Sequence, residues 1–383
     1  MKRIGWLVVV FCLLTGLLST GVQAVDLEVP AKSALLMDAA TGTILYENNA
    51  HEALAPASVT KVMTMLLIME AIDEGRIRWE DMVSASETAA AKGGSQIFLK
   101  AGETMPVSDM LKSIAVSSAN DCACAMAEHI AGSEEAFVAR MNERAAELGM
   151  QDTHFVNCTG LDDDPESANH RTSAHDIALM SRELLKNHPD IKKFTTIWMD
   201  TVRNGTFGLS NTNKLVRFYQ GATGLKTGFT SGAGYCLSAT ALRDGMELIA
   251  VVMGADTSTN RNNACKQLLD YGFANFAVII PELTEPEPVS VKMGKADTVD
   301  AILGDNGILL IDKAKKSAVT MELTVEESVT APISLGQRLG TLTVKTGDQI
   351  LKEVPLVASV GVERKTFGDL LGMVLKRAAM AKV

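Results

Sequence analysis

Eight residues constrain this chain more than any others. Residues 281–288 read P-E-L-T-E-P-E-P and hold three of its ten prolines. Each proline fixes φ and removes a backbone donor, so neither a helix nor a sheet ladder survives the stretch. It reads as a linker or domain boundary. With 383 residues there is room for two ordinary domains.

The two sides carry different patterns. Before the linker, strand and helix signals mix. Ser33 to Asp38 and Thr43 to Tyr46 read as a hairpin around Ala40-Thr41-Gly42. Val59 to Ile72 reads as an apolar helix, and Thr104 to Ile114 and Asp121 to Ile130 as further helices. Tyr235 to Leu242 and Glu247 to Met253 read as adjacent strands turning at Arg243-Asp244-Gly245, and Lys266 to Phe276 as a closing helix. The expectation is α+β, with helices packed on an antiparallel sheet. After the linker, runs at Val289–Met293, Gly307–Ile311, Ala318–Val325, Leu339–Val344 and Ile350–Val360 predict a small all-β domain over 289–365.

Both ends differ from the middle. Lys2 and Arg3 precede an apolar run from Ile4 to about Leu18, and Val22-Gln23-Ala24 supplies small residues at a V-x-A site. These are the three parts of a secretory signal over 1–24; the alternative is an uncleaved anchor. The run is short for a ~30 Å hydrocarbon core. At the other end, 366–383 reads as an amphipathic helix. Phe367, Leu370, Leu371, Val374, Leu375 and Ala378 share one arc, with Asp369 and Lys376 opposite and Arg377 at the flank. Such a helix suits a membrane surface, or docks on its own domain. The sequence thus predicts an exported protein held at the outer face of a membrane.

Composition excludes some functions. The net charge of −10 becomes −12 once the signal, with two basic and no acidic residues, is removed. Nucleic acid is therefore not an expected partner. Five Cys follow the signal, an odd number, so a full disulfide framework is impossible; they read as small buried residues. His170 and His175 flank a loop holding Asp162-Asp-Asp and Glu166, which could hold a metal or be merely solvated; no metal or other cofactor is expected.

Three short elements carry chemistry. Ser58-Val-Thr-Lys61 opens the apolar helix, with Lys61 three residues above Ser58 on the same face. Serine is a weak nucleophile unless a base takes its proton. Lysine can be that base if burial and a nearby cation lower its pKa. Ser118-Ala-Asn120 lies between two helices, and Lys226-Thr-Gly228 lies shortly before the strand at Tyr235. Each alone is weak: Lys345-Thr-Gly347 repeats the third within the β domain, where it reads as a hairpin turn. The order S-x-x-K, S-x-N, K-T-G is the stronger signal. G-x-S-x-G and H-E-x-x-H are absent.

That set resembles the low-molecular-weight penicillin-binding proteins that are D-alanyl-D-alanine carboxypeptidases, a family of serine peptidases. The resemblance covers nearly the whole chain after the signal. It includes Pro56 to Thr64, Ser117 to Asp121, Phe155 to Leu161 and Gly224 to Thr230. It departs at Cys158, where the family would place proline. It implies a penicillin-binding/β-lactamase-like catalytic domain over 25–280, with the β domain and tail helix behind it.

The resemblance also implies roles. Ser58 is the acylated nucleophile and Lys61 its base. Ser118 passes the proton to leaving D-alanine, and Asn120 orients Lys61 and the substrate amide. Lys226, Thr227 and Gly228 line the carboxylate site, the charge of Lys226 helping to keep Lys61 neutral, and Arg261 is a second carboxylate ligand. The backbone N–H groups of Ser58 and Phe229 form the oxyanion hole. Expected partners are peptidoglycan stem peptides ending in D-Ala-D-Ala, β-lactams as covalent inhibitors, and a membrane surface. A β-lactamase is the alternative, but no E-x-x-L-N element is found, and Glu183-Leu-Leu-Lys-Asn187 has the wrong spacing. A non-catalytic wall-binding or β-lactam-sensing protein is another; a sensor needs spanning helices, and no such run follows Ala24.

Overall fold

A computed structural model describes residues 27–283 and 287–380. The expected signal segment, the centre of the linker and the last three residues of the expected tail helix lie outside the described residues. The first unit is built on a five-stranded antiparallel sheet. Its strand order is Ile44–Asn48, Ser33–Asp38, Met246–Ala255, Gly234–Arg243, Ala222–Thr230. Successive residues in a strand face opposite sides, and both sides are covered. Leu35, Met37, Ile249, Val251 and Met253 enter the helical core on one face. Leu36, Leu248, Ala250 and Val252 pack against the Ser258–Asn275 helix on the other. A strand buried on both faces reads as one apolar run, as Leu248 to Met253 does.

The Lys61–Asp73 helix runs through the middle of the larger core, buried from Lys61 to Ala71. A helix apolar all round belongs in an interior. Its one acidic residue there, Glu70, pairs with Arg144 at 2.6 Å, and Arg144 also binds Glu183 at 2.6 Å.

Several elements of the first unit depart from, or add to, the sequence expectation. The Val59 helix begins only at Lys61, preceded by a single 3-10 turn at Ala57–Thr60. The expected Thr104–Ile114 helix is a strand at Thr104–Pro106 followed by a helix at Val107–Ser117, because the residue before proline is driven to extended backbone. The closing helix starts eight residues early, at Ser258. Thr257 caps it by accepting from the Asn260 N–H at 3.1 Å, a start hidden in a run of polar residues. Lys226-Thr-Gly228 does precede the strand at Tyr235, but it also lies inside a nine-residue edge strand of its own, whose two glycines mask the strand pattern.

The all-β expectation holds after the linker. A four-stranded sheet orders Ala301–Leu303, Gln349–Ala358, Arg338–Thr346 and Val319–Val325 over its own core of Leu339, Leu342, Val354 and Leu356. Lys345-Thr-Gly347 is a hairpin turn there, with Thr346 facing Gln349 and Gly347 at φ +56°. Leu309–Asp312, read as a strand of this domain, pairs instead with Phe276–Ile279. The tail forms a helix over Phe367–Met380. Its apolar side is uncovered, Phe367 being 81% and Val374 64% exposed. Among the described residues no helix is long and apolar enough to cross a membrane.

Candidate active site

The nucleophile candidate sits on a strained turn. Ala57 takes φ +48°, a left-handed conformation that costs a non-glycine residue on the order of 1–3 kcal/mol. The next three residues continue as a 3-10 turn, in which positions i and i+3 eclipse. Lys61 is thereby brought over Ser58, and its Nζ donates to Ser58 Oγ at 3.0 Å and to the Thr159 carbonyl at 2.8 Å. Two glycines let other segments close on this turn. A Cβ at Gly228 would lie 2.6 Å from the Pro56 carbonyl and 3.1 Å from the Ser58 nitrogen. One at Gly160 would lie 1.8 Å from the Ala57 carbonyl. The edge strand and the 156–160 loop thus grip the turn from two directions.

Burial tunes the base. Lys61 has no exposed surface, and desolvation pulls its ammonium down to about 7, against weaker raising effects of Cys158 and Asp121. A neutral amine is then within reach near pH 7, as a general base requires. Lys226 is also buried and is pushed well below the usual lysine range, first by burial and then by the charges of Lys61 and Arg261. The three cations share one neighbourhood. Burial lowers Lys61, and the charge of Lys226 is not among the causes, contrary to the role the resemblance implies.

The other elements converge on the same place. Ser118 ends the Val107–Ser117 helix in a left-handed conformation, φ +62°. Asn120 begins the next helix, and its Nδ2 donates to the Gly93 carbonyl at 2.7 Å. One N–H of its amide is thereby committed to the 93–99 loop, and the carbonyl that holds Lys61 belongs to Thr159. Asp121 secures that loop too, accepting from the N–H groups of Ile97 and Leu99. Ser118 Oγ and Asn120 Oδ1 are buried and find no hydrogen-bond partner among the described residues. Buried polar groups are nearly always paired, so these two orphans, two residues apart in the chain, point to where a ligand's polar groups would fit.

On the K-T-G strand, the Lys226 ammonium donates to the Thr227 carbonyl at 2.8 Å, and Thr227 Oγ1 to Thr212 Oγ1 at 2.7 Å. The Phe229 side chain is exposed and lies against Tyr235, ring centroids 4.3 Å apart. Arg261 occupies the first turn of the Ser258–Asn275 helix, largely buried, with its guanidinium 5.8 Å from the Tyr235 ring centre. Sequence reasoning missed Thr159 and Thr212. The first acts through its backbone, which no residue type announces.

The remaining expectations fall elsewhere. Among the described residues no group of three or more His, Cys, Asp or Glu side chains could hold a metal ion. His170 turns into the core instead of toward the acidic loop. The five described cysteines are buried free thiols. Cys158, at the expected proline, donates its backbone N–H to Glu134 at 3.2 Å, a bond proline could not make.

A serine–lysine pair beside a K-T-G edge strand, on an antiparallel sheet flanked by helices, defines the class of penicillin-binding serine enzymes. A profile of the D-alanyl-D-alanine carboxypeptidase family matches residues 20–257, and one of the penicillin-binding protein 5 C-terminal domain matches 280–364. The chain is 44% identical over 353 residues to D-alanyl-D-alanine carboxypeptidase DacF of Bacillus subtilis, covering 91% of this chain and 90% of that one. It is 33% identical to DacC of Escherichia coli, with 89% and 86% covered. Penicillin-binding protein 5 of Haemophilus influenzae superposes with a TM-score of 0.70 at 30% identity, over 88% of this chain and 98% of that one. Penicillin-binding protein D2 of Listeria monocytogenes, solved in an ampicillin-bound form, superposes at 0.57 with 32% identity, over 65% of this chain and 99% of that one. The chain belongs to the D-alanyl-D-alanine carboxypeptidases, a family of serine peptidases. These likenesses favour that activity over the β-lactamase alternative.

Proposed function

We propose that this chain removes the terminal D-alanine from peptidoglycan stem pentapeptides through an acyl-enzyme on Ser58. The observation that carries the reading is the 3.0 Å contact between Ser58 Oγ and a buried Lys61 whose pKa lies at about 7. Neutral Lys61 takes the Ser58 proton as Oγ attacks the carbonyl of the penultimate D-alanine. The oxyanion forms against the N–H groups of Ser58 and Phe229. As the C–N bond breaks, Ser118 relays the proton from Lys61 to the departing amine. Asn120 Oδ1 accepts from the substrate amide, which the orphaned state of that oxygen supports. Lys226, Thr227 and Arg261 meet the terminal carboxylate, and Gly228 lets their strand lie close to the Ser58 turn. Water then releases the shortened peptide. The same nucleophile opens the strained amide of a β-lactam, which supports covalent inhibition by penicillins.

We further propose that residues 1–24 direct export, that 25–280 is the catalytic domain, and that 281–288 links it to the β domain over 289–365. The 366–383 segment is proposed to rest its uncovered apolar side on the outer face of the cytoplasmic membrane. The test is release of D-alanine from a peptide ending in Lys-D-Ala-D-Ala. Wild type should release it and Ser58→Ala should not. Penicillin labelling without release would favour a β-lactam-binding protein, and rapid penicillin hydrolysis a β-lactamase.

A further inference from the structure

His170 is a buried histidine that the mechanism above does not use, yet both hydrogen bonds of its ring lead to the serine–lysine pair. Its Nδ1 accepts from the Val156 N–H at 3.1 Å, and its Nε2 lies 2.8 Å from Thr60 Oγ1. Thr60 Oγ1 also donates to the Ala57 carbonyl at 2.8 Å. A hydroxyl has one proton. That proton is committed to Ala57, so the Thr60–His170 bond must be donated by Nε2–H. The bond from Val156 requires Nδ1 to be bare. Only the neutral Nε2–H tautomer satisfies all three contacts. Burial pulls the imidazole down to about 4, which favours the neutral ring near pH 7. Phe155 meets the ring edge-on at 5.6 Å and limits its rotation.

The two ends of this chain of bonds matter. Through Thr60 it holds the carbonyl of Ala57, the left-handed residue that aims Ser58. Through Val156 it holds the loop whose Thr159 carbonyl positions Lys61. The same loop brings Gly160 against the Ala57 carbonyl, where even a methyl group would not fit. One side chain therefore fixes the distance between the support of the nucleophile and the support of its base. We propose that His170 is a positioning residue for acylation, acting through Thr60 and Val156 to hold Ser58 and Lys61 at reacting distance.

The proposal rests on the Ser58–Lys61 reading, which wild-type D-alanine release and penicillin labelling test separately. The experiment compares His170→Ala, Thr60→Val, the double variant and Thr60→Ser in the full chain. It measures the acylation rate constant with labelled benzylpenicillin, and the fraction of molecules that label. A misfolded population lowers the labelled fraction, whereas loss of positioning lowers the rate with every molecule still labelling. A displacement of about 1 Å can cost on the order of 10²-fold in rate. His170→Ala and Thr60→Val should each slow acylation by about 10- to 100-fold at full labelling. The double variant should be no slower than the worse single, since the two act as one unit. Thr60→Ser keeps the hydroxyl and should stay within about threefold of wild type. Should His170→Ala fail to fold, the Thr60→Val and Thr60→Ser pair decides alone. Wild-type rates in Thr60→Val, equal slowing in Thr60→Ser, multiplying costs, or a fall confined to the labelled fraction would each overturn the proposal.

Discussion

Lys61→Met should inactivate the protein and stabilise it at the same time. Lys61 is fully buried, and its ammonium is depressed from 10.5 to about 7. A shift of one unit corresponds to 1.36 kcal/mol, so the buried charge costs on the order of 5 kcal/mol. A depressed lysine binds fewer protons folded than unfolded between these values. Its cost is therefore complete below about pH 7, shrinks as pH rises, and is gone above 10.5. Methionine fills similar volume without charge, but it strands the Thr159 carbonyl and removes the bond to Ser58, worth about 1–2 kcal/mol. The net gain at pH 6 is then about 3 kcal/mol, or roughly 6–12 °C in a domain of this size. Trp79 and Trp198 both lie in the catalytic unit, so tryptophan fluorescence follows its unfolding. The melting temperature of Lys61→Met should exceed wild type at pH 6, and the difference should fall steadily toward pH 10. An unchanged or lowered temperature at pH 6, or a gain equal at both pH values, would refute the argument that burial sets the base.

Three further outcomes follow from the same geometry. Acylation should rise about tenfold per pH unit up to a plateau near 7, because only neutral Lys61 accepts the proton; stopped-flow labelling between pH 5 and 9 measures it, and a flat profile would count against Lys61. Gly160→Ala forces a methyl group against the Ala57 carbonyl from a residue at φ +80°, and should cost about 3 kcal/mol in urea unfolding together with most of the acylation rate. Deleting residues 367–383 should release the protein from anionic lipid vesicles in a sedimentation assay without changing turnover; unchanged sedimentation would remove the membrane role of the tail.

The chemistry was more legible than the architecture. Ser58, Lys61, Ser118, Asn120 and Lys226 carry side-chain types that acyl transfer needs, and their order along the chain singles them out. The structure brings all five together, with Arg261 beside Lys226. The supports of the site were not legible. Thr159 acts through a carbonyl, Ala57 through a backbone angle, and His170 through a partner 110 residues away. None of these leaves a local pattern. In the fold, the buried strands at Gly234–Arg243 and Met246–Ala255 were readable because both faces are apolar. The K-T-G strand was not, because Gly228 serves close approach to the nucleophile turn rather than strand propensity. The Phe276–Ile279 strand was hidden because it runs directly out of a helix and finds its partner beyond the linker.

The central claim is that Ser58 carries the acyl group, and locating that group tests it most directly. The protein is incubated with a penicillin, digested, and the modified peptide sequenced by mass spectrometry. The account predicts one adduct per chain, on Ser58, rising with pH through about 7 and absent from Ser58→Ala. An adduct on Ser118 or any other residue, or labelling that survives Ser58→Ala, would contradict it.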